Sequence, residues 1–316
     1  MSLGIDPRVD FACKLMLGSP DHPAVTIHFL NSMMRPIVPL VEVEILNPLV
    51  GKDRSEDKVV VLDVLARDSL GRLFNIEMQT RLPLSFPSRL LYYNCKNYAR
   101  QMREGDGYEE LRPAISICLL DRRMFQQTSE SARWHHSFRL RCDQNAALIL
   151  TSDLEFHIFE LPKYRPSGDN IGTLPADEKW LYLFTHAAET SPETLADLLR
   201  DPAYREALGV LQMISKSPED FQYYEDRLKF LRDERGKLLA AEQDGEQRGL
   251  VRGREEGMEK GREEGREEGK LAGKIQTLQE LLGDTVTSDG ALLSRDRDTL
   301  TTELASLQSR LRQRDA

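Results

Sequence analysis

The chain has 316 residues, of which 40% are hydrophobic and 30% charged, and a formal net charge of −9. This composition predicts a folded protein with a packed core, and the net charge excludes electrostatic coating of nucleic acid by the whole surface. A run of about 18 apolar residues is absent, so no membrane-spanning helix is expected. The four cysteines are scattered and the first residues do not resemble a secretory signal, which predicts a cytoplasmic protein with reduced thiols.

Residues 1–165 alternate helical and strand patterns. Apolar helical spacing over residues 11–33 precedes predicted strands, and a helix is predicted over residues 87–103 with Gly105 beyond its end. The predicted strands are 41–46, 59–66, 73–78, 114–120, 138–140 and 154–161. A helix, three strands, a helix and a strand in this order predict a compact α/β core.

Three further segments follow this core. Residues 166–240 carry Pro-initiated helical patterns and are predicted to form a helical extension. In residues 241–274 glycine recurs every four residues between Glu, Arg and Lys, which predicts a frayed, solvated helical linker, since each glycine costs a helix about 1 kcal/mol. Residues 275–316 form a short amphipathic tail, in which the spacing from Leu300 to Leu311 predicts a coiled-coil seam and a homo-oligomer.

A predicted hairpin over residues 59–80 carries the most informative polar residues. A three-residue loop of Ser69, Leu70 and Gly71, with Gly71 in the left-handed conformation, places Asp68 opposite Arg72. In that register Asp63 lies opposite Glu77, and Gln79 points to the same face. A two-residue loop would instead shift the register and put the two acids on opposite faces.

The paired acids Asp63 and Glu77 have two interpretations. They can lie on a solvated face of the hairpin without any function. However, apolar residues occupy both faces of these strands, which predicts burial, and two buried carboxylates need a positive partner. Mg²⁺ suits them, because it binds one or two carboxylates, keeps several waters and can activate a water for attack on a phosphodiester.

These residues resemble the PD-(D/E)xK nuclease signature in its E-x-Q form, with Asp63 followed by Glu77 and Gln79. More narrowly, the chain resembles the recombination-promoting nuclease family, also classed as PD-(D/E)xK transposases. The resemblance covers about residues 8–190. The glycine-period segment, residues 241–274 with glycine at every fourth position, is also typical of that family. The supporting stretches are Asp10-Phe11 with Lys14, Glu44 with Asn47-Pro48, Asp57-Lys58, the NIEMQ segment 75–79, Arg89 with Tyr92-Tyr93, Tyr98 with Gln101, and the ELPKY segment 160–164.

The resemblance implies a restriction-endonuclease-like core, a mixed sheet flanked by helices, that cuts DNA with Mg²⁺ or, as a substitute, Mn²⁺. Asp63 and Glu77 would be the metal ligands, with Glu44 as an outer ligand. Gln79 stands where most of the superfamily has lysine, so it can orient the attacking water but cannot take its proton. Lys14 and Lys58 would contact the DNA backbone.

A local excess of positive charge supports DNA contact. Residues 81–141 contain eleven Lys and Arg against six Asp and Glu. The predicted helix 87–103 interleaves basic residues with tyrosines, a combination that suits phosphates and bases. The predicted DNA-binding residues are Lys14, Lys58, Arg89, Lys96, Arg100 and Gln101. An amphipathic helix with packed tyrosines and solvated arginines is the alternative.

Three functions are therefore compatible with the sequence. The preferred one is a Mg²⁺-dependent DNA endonuclease connected with recombination or mobile elements, with Asp63, Glu77 and Gln79 as the catalytic residues. A degenerate nuclease fold that only binds nucleic acid or a protein partner is the second, because Gln79 replaces lysine. A scaffold that assembles through the C-terminal seam is the third.

Overall fold

The protein is described by a computed structural model over residues 2–47 and 63–314. The described strands form one mixed six-stranded sheet in the order β1-β2-β3-β4-β6-β5. Strands β3, β4 and β6 run parallel to one another, whereas β1, β2 and β5 pair antiparallel with their neighbours. The strands are β1 (Val43–Ile45), β2 (Val64–Asp68), β3 (Leu73–Gln79), β4 (Ala114–Leu120), β5 (His135–Arg141) and β6 (Ile149–Glu160).

Helices precede, interrupt and follow the sheet. The described helices are α1 (Asp10–Leu17), α2 (Pro23–Met34), α3 (Phe86–Ala99), α4 (Ala176–His186), α5 (Pro192–Leu198), α6 (Pro202–Lys216), α7 (Pro218–Leu282), α8 (Asp289–Leu293) and α9 (Arg297–Arg314). The predicted α/β core is confirmed, and the strand predicted over 114–120 has those bounds. The N-terminal part of the predicted strand 59–66, together with Lys58, lies outside the described residues.

Helices cover both faces of the sheet. One face packs against α1, α2, α4 and α6 in a large cluster that includes Phe11, Phe29, Phe74 and Trp180. The opposite face lies under α3, where Phe86 and Leu90 pack against Cys118 and other side chains of β4 and β6. Apolar side chains therefore point to both faces of the strands, as expected for a sheet that is buried on both sides.

The large cluster continues past the predicted boundary between residues 165 and 166. Trp180, Phe184, Tyr204 and Tyr224 are almost completely buried in the same cluster as Phe11. The chain forms two compact units, Met1–Asp233 and Glu234–Ala316. The predicted boundary at 165 therefore does not separate two cores, because the following helices supply large apolar side chains to the first one.

The glycine-period segment belongs to the single helix α7, which is continuous over 65 residues. The helical character predicted for residues 241–274 agrees with this helix, whereas fraying in solution stays a prediction. Ion pairs at four-residue spacing, such as Arg252 with Glu256 and Lys260 with Glu264, accompany the glycines. Because helix propagation is cooperative and each such pair adds a few tenths of a kcal/mol, the flanking residues offset part of the cost of the glycines.

The unit formed by residues 234–316 has its own small apolar cluster. In it Leu300, Leu304 and Leu307 of α9 are buried with Ala272 and Ile275 of α7. The predicted seam is therefore occupied within the chain, and self-association through it stays a prediction that this packing does not support. None of the described helices is long and apolar enough to cross a membrane.

Candidate active site

The predicted hairpin register is confirmed. Val64 pairs with Ile76 and Leu65 with Asn75, so paired positions sum to 140. Gly71 has a φ of +80° and donates its N–H to the Asp68 carbonyl at 2.9 Å, which closes the three-residue loop. Continuing the register by one residue places Asp63 opposite Glu77, on the same face of the sheet.

The backbone around Asp63 is held by Asn47, which follows β1. The Asn47 side chain donates to the Asp63 carbonyl at 2.9 Å and accepts from the Leu65 N–H at 2.7 Å. Directly after the end of β1, the Asn47 amide thus binds the backbone of residues 63 and 65 in the way that the backbone of a paired strand would. They therefore fix the position of Asp63 at the beginning of β2.

Glu77 is bound by the two residues that flank it on the same face of β3. Asn75 donates Nδ2–H to Glu77 Oε1 at 2.6 Å, and Gln79 donates Nε2–H to Glu77 Oε2 at 3.1 Å. Glu77 is only 3% exposed. Because residues i and i+2 of a strand point to the same face, the sequence N-x-E-x-Q places an amide on each side of the carboxylate.

Burial acts on both acids, and the charge of Glu77 also acts on Asp63. Burial, reinforced by the charge of Glu77, raises the pKa of Asp63 to about 7. Burial also raises the pKa of Glu77, although the hydrogen bond from Asn75, the charge of Arg89 and the hydrogen bond from Gln79 oppose this. The pair thus has too little positive charge around it, which is the electrostatic condition of a cation site.

Arg89 is the cation that approaches the pair from α3. Strand β3 ends at Gln79, and α3 begins after a short loop with Pro87 in its first turn. The exposed Arg89 donates Nη2–H to Gln79 Oε1 at 2.9 Å. Its charge opposes the rise in pKa of both Asp63 and Glu77.

Two residues of α1 act on Asp63 from another direction. The charge of Lys14 lowers the pKa of Asp63, while that of Asp10 raises it. Lys14 is 3% exposed, so it belongs to the surroundings of the acid pair and not to an open surface. Asp10 accepts hydrogen bonds from Arg227 Nε–H at 2.8 and 2.9 Å.

The donor set of this site fits a hard divalent cation. Asp63 and Glu77 provide carboxylate oxygens on one face, at the end of the sheet where β3 finishes and α3 starts. Among the described residues, no group of three or more His, Cys, Asp and Glu is arranged to hold a metal. A pair of carboxylates suits Mg²⁺, which keeps several of its own waters, better than an ion that requires a complete protein cage.

Glu44 does not join this pair, which corrects the expectation that it is an outer ligand. It pairs with Arg67, four residues beyond Asp63 on β2, or about 13 Å along a strand. Its carboxylate lies 3.7 Å from the Arg67 guanidinium and is 68% exposed. Register therefore places Glu44 at the opposite end of the hairpin.

The other predicted DNA-binding residues have different surroundings. Lys96 lies over the rings of Tyr92 and Tyr93, and Arg100 is exposed directly after α3. Gln101 exchanges two hydrogen bonds with the backbone of Arg112, at 2.8 and 3.2 Å. Its amide therefore anchors the end of α3 to the segment before β4.

Asn75 is a site residue whose role was not predicted from the sequence. Its signal was present, since it lies two residues before Glu77 in a strand and must share its face. The direct contact between Gln79 and Arg89 was also not predicted. That contact depends on the path of the loop between β3 and α3, for which the sequence has no periodic signal.

Comparison with known proteins identifies a family for this chain. The family profile described as PD-(D/E)XK nuclease family transposase matches residues 7–241. The match extends beyond residue 190, in accord with the participation of α6 and the start of α7 in the large core cluster. No curated protein and no solved structure gives a significant match. Since the profile spans more than half of the sequence, the chain belongs to the PD-(D/E)XK nuclease family transposases.

Proposed function

We propose that this protein is a Mg²⁺-dependent DNA endonuclease that serves DNA recombination or the movement of mobile elements. The observation that carries the proposal is the juxtaposition of Asp63 and Glu77, two largely buried acids with raised pKa values, on one face of a sheet. The family shows that the fold belongs to nucleases, and DNA is the substrate expected of a transposase.

Asp63 and Glu77 would hold the cation, with Mn²⁺ as a possible substitute for Mg²⁺. When bound, such an ion acidifies a water and stabilises charge that develops on a phosphodiester. Asn75 and Gln79 keep the two oxygens of Glu77 fixed by donating to each of them. This preorganisation reduces the ordering that the site must undergo when the cation and DNA arrive.

Gln79 has a different role from the lysine that it replaces. An amide cannot accept a proton near neutral pH, so it cannot be the general base. In the structure it links Glu77 to Arg89, and thereby positions a permanent positive charge beside the acids. Arg89 would bind a phosphate oxygen of the scissile group, for which the forked guanidinium is well suited.

Hydrolysis then requires little covalent chemistry from the side chains. A water oxygen forms a bond to phosphorus, and the bond from phosphorus to a sugar oxygen breaks. The proton of the water passes to a substrate phosphate oxygen or to solvent, and the leaving oxygen is protonated. The side chains contribute orientation and charge, with Arg89 opposite the negative charge of the phosphoryl group.

Nicking of supercoiled plasmid by the purified full chain tests this proposal. We expect nicking with Mg²⁺ or Mn²⁺ and none with EDTA, and at least a 100-fold loss in both Asp63→Asn and Glu77→Gln. Asp143→Asn, which changes an exposed acid outside the site, is the matched control and should nick like the wild type. Circular dichroism checks that each variant is folded.

Equal nicking by the wild type and both site variants would show contamination and reject the proposal. Binding of DNA without cleavage by the wild type would favour the alternative of a degenerate nuclease fold. A specific observation supports that alternative, because both ends of the Gln79 amide are engaged and no lysine stands in its place.

A further inference from the structure

One exposed stripe along α3 carries two aromatic rings between basic side chains. Arg89 is followed three and four residues later by the adjacent pair Tyr92 and Tyr93, which is followed by Lys96 and, four residues further on, by Arg100. In a helix this spacing places all of them on one side. The opposite side of α3, with Phe86, Leu90 and Asn94, is buried against the sheet.

The two tyrosines of this stripe are unusually open to solvent. Tyr92 is 60% exposed and Tyr93 45% exposed, and their ring centroids lie 5.4 Å apart with the planes at 74°. The Lys96 ammonium lies 5.7 Å from one centroid and 5.9 Å from the other. The rings are thus partly held in place, but a large part of their surface is not covered by any of the residues that the structure describes.

The charge of this surface favours an anionic occupant. The sequence of α3, residues Phe86–Ala99, contains no acidic residue. The stripe starts at Arg89, which contacts the candidate active site through Gln79. From Arg89 to Lys96 the helix rises about 10 Å, the length of about three nucleotides of one strand.

We propose that this stripe is a base-stacking platform for unpaired nucleotides next to the scissile phosphate, so that the substrate is DNA with single-stranded character. Tyr92 and Tyr93 stack on exposed bases, while Lys96 and Arg100 neutralise the phosphates between them. In a continuous duplex the faces of the bases are covered by their neighbours, so the rings would have no surface to stack on. This inference deepens the proposed endonuclease function and rests on it for the position of the cut, but not for the binding itself.

Binding in EDTA tests the platform independently of cleavage. The full chain is titrated with a fluorescein-labelled 20-nucleotide single strand and with a blunt duplex of the same length, with fluorescence anisotropy as the readout. Tyr92→Ala/Tyr93→Ala should weaken single-strand binding at least tenfold and change duplex binding less than twofold, since only the single strand exposes bases that stack on the rings. Tyr92→Phe/Tyr93→Phe keeps the rings and should bind like the wild type.

Two further variants separate stacking from general effects. Tyr108→Ala removes a tyrosine that is 81% exposed but lies outside the stripe, and it should leave both affinities unchanged. Lys96→Ala should weaken binding of both DNAs and reduce its salt dependence. A strand with 2-aminopurine in place of adenine reports stacking directly, and the change in its fluorescence on binding should disappear in Tyr92→Ala/Tyr93→Ala.

The possible outcomes separate this inference from the proposed function. Stacking-dependent single-strand binding without any cleavage would support the platform while the endonuclease proposal fails. Cleavage of plasmid by a protein whose tyrosine variants bind both DNAs like the wild type would reject the platform alone. Loss of a dimer in Tyr92→Ala/Tyr93→Ala, seen by light scattering without a change in DNA affinity, would show that a second copy covers this surface and would also reject it.

Discussion

The carboxylate of Asp68 accepts a hydrogen bond from the Arg72 guanidinium at 2.6 Å across the end of the β2–β3 hairpin. Its other oxygen accepts the N–H groups of Leu70 and Arg72 at 3.0 and 2.8 Å. The Asp68 side chain is 1% exposed. Three hydrogen bonds within five residues therefore hold the loop whose geometry sets Asp63 opposite Glu77.

Removal of the Asp68 carboxylate should destabilise the protein considerably. We expect Asp68→Ala to lower the free energy of unfolding by about 3 kcal/mol, because the Arg72 charge and two N–H groups lose their acceptor. Urea denaturation followed by circular dichroism measures this. Glu44→Ala breaks an exposed ion pair at the same hairpin and should cost less than about 1 kcal/mol. Equal losses of the free energy of unfolding in the two variants would contradict the role of the Asp68 carboxylate in holding the loop.

Gly71→Ala should reduce both stability and nuclease activity. Alanine in the left-handed region costs about 1–2 kcal/mol, and a Cβ at this position would lie 3.0 Å from Arg112 Cγ. The matched control is Gly105→Ala, which has a φ of +95° but no atom within 4 Å of the added Cβ. We expect a similar backbone cost there but normal plasmid nicking. Loss of activity in both variants would show that the loop register is not the cause.

The stability of the metal-free protein should fall as the pH rises. Burial and the charge of Glu77 raise the pKa of Asp63 to about 7, above its value near 4 in the unfolded chain. The folded state therefore binds a proton that the unfolded state has lost between pH 4 and 7, and stability decreases across this window. Thermal unfolding in EDTA from pH 4 to 8 measures the decrease. Asp63→Asn should flatten the profile, and a steep decrease that persists in this variant would assign it to other groups.

A buried ion pair in the ELPKY segment should be structural. Lys163 Nζ donates to Glu160 at 2.7 Å and to the carbonyls of Phe125 and Glu130 at 2.5 and 2.9 Å, and both side chains are at most 1% exposed. We expect Lys163→Met to lower the free energy of unfolding by about 3–5 kcal/mol, because a buried carboxylate is left without its charge partner. Urea denaturation measures the loss. The double variant Glu160→Gln/Lys163→Met should recover part of the lost free energy of unfolding. If it instead loses the sum of the losses of the two single variants, Glu160 and Lys163 do not stabilise the protein as a pair.

A glycine of α7 should be replaceable with a gain in helix stability. Gly257 has no atom within 4 Å of an added Cβ, and its helix is continuous. Gly257→Ala should therefore stabilise the helix by about 1 kcal/mol, the difference in helix propensity. In thermal circular dichroism of the full chain, Gly257→Ala should raise the temperature at which helix is lost, whereas Gly257→Pro should lower it. No change in either variant would mean that this segment is not helical in solution.

The sequence alone was sufficient to predict the register of the β2–β3 hairpin. The residues that set the register, Asp68 to Arg72, adjoin the strands that they align, so turn chemistry and the two-residue period determine which side chains share a face. The strand 114–120 was predicted with its bounds for a similar reason, since an unbroken run of apolar and β-branched residues with Pro before it has few alternatives.

Tertiary structure decided what surrounds that pair and how far the core extends. The contact between Gln79 and Arg89 depends on a loop without periodicity, and the bond between Arg227 and Asp10 joins residues 217 positions apart. The seam from Leu300 to Leu307 has the same pattern whether it faces a second chain or the end of α7. A sequence pattern specifies the chemistry of a face, but the partner of that face is selected by packing, which is a property of the whole fold.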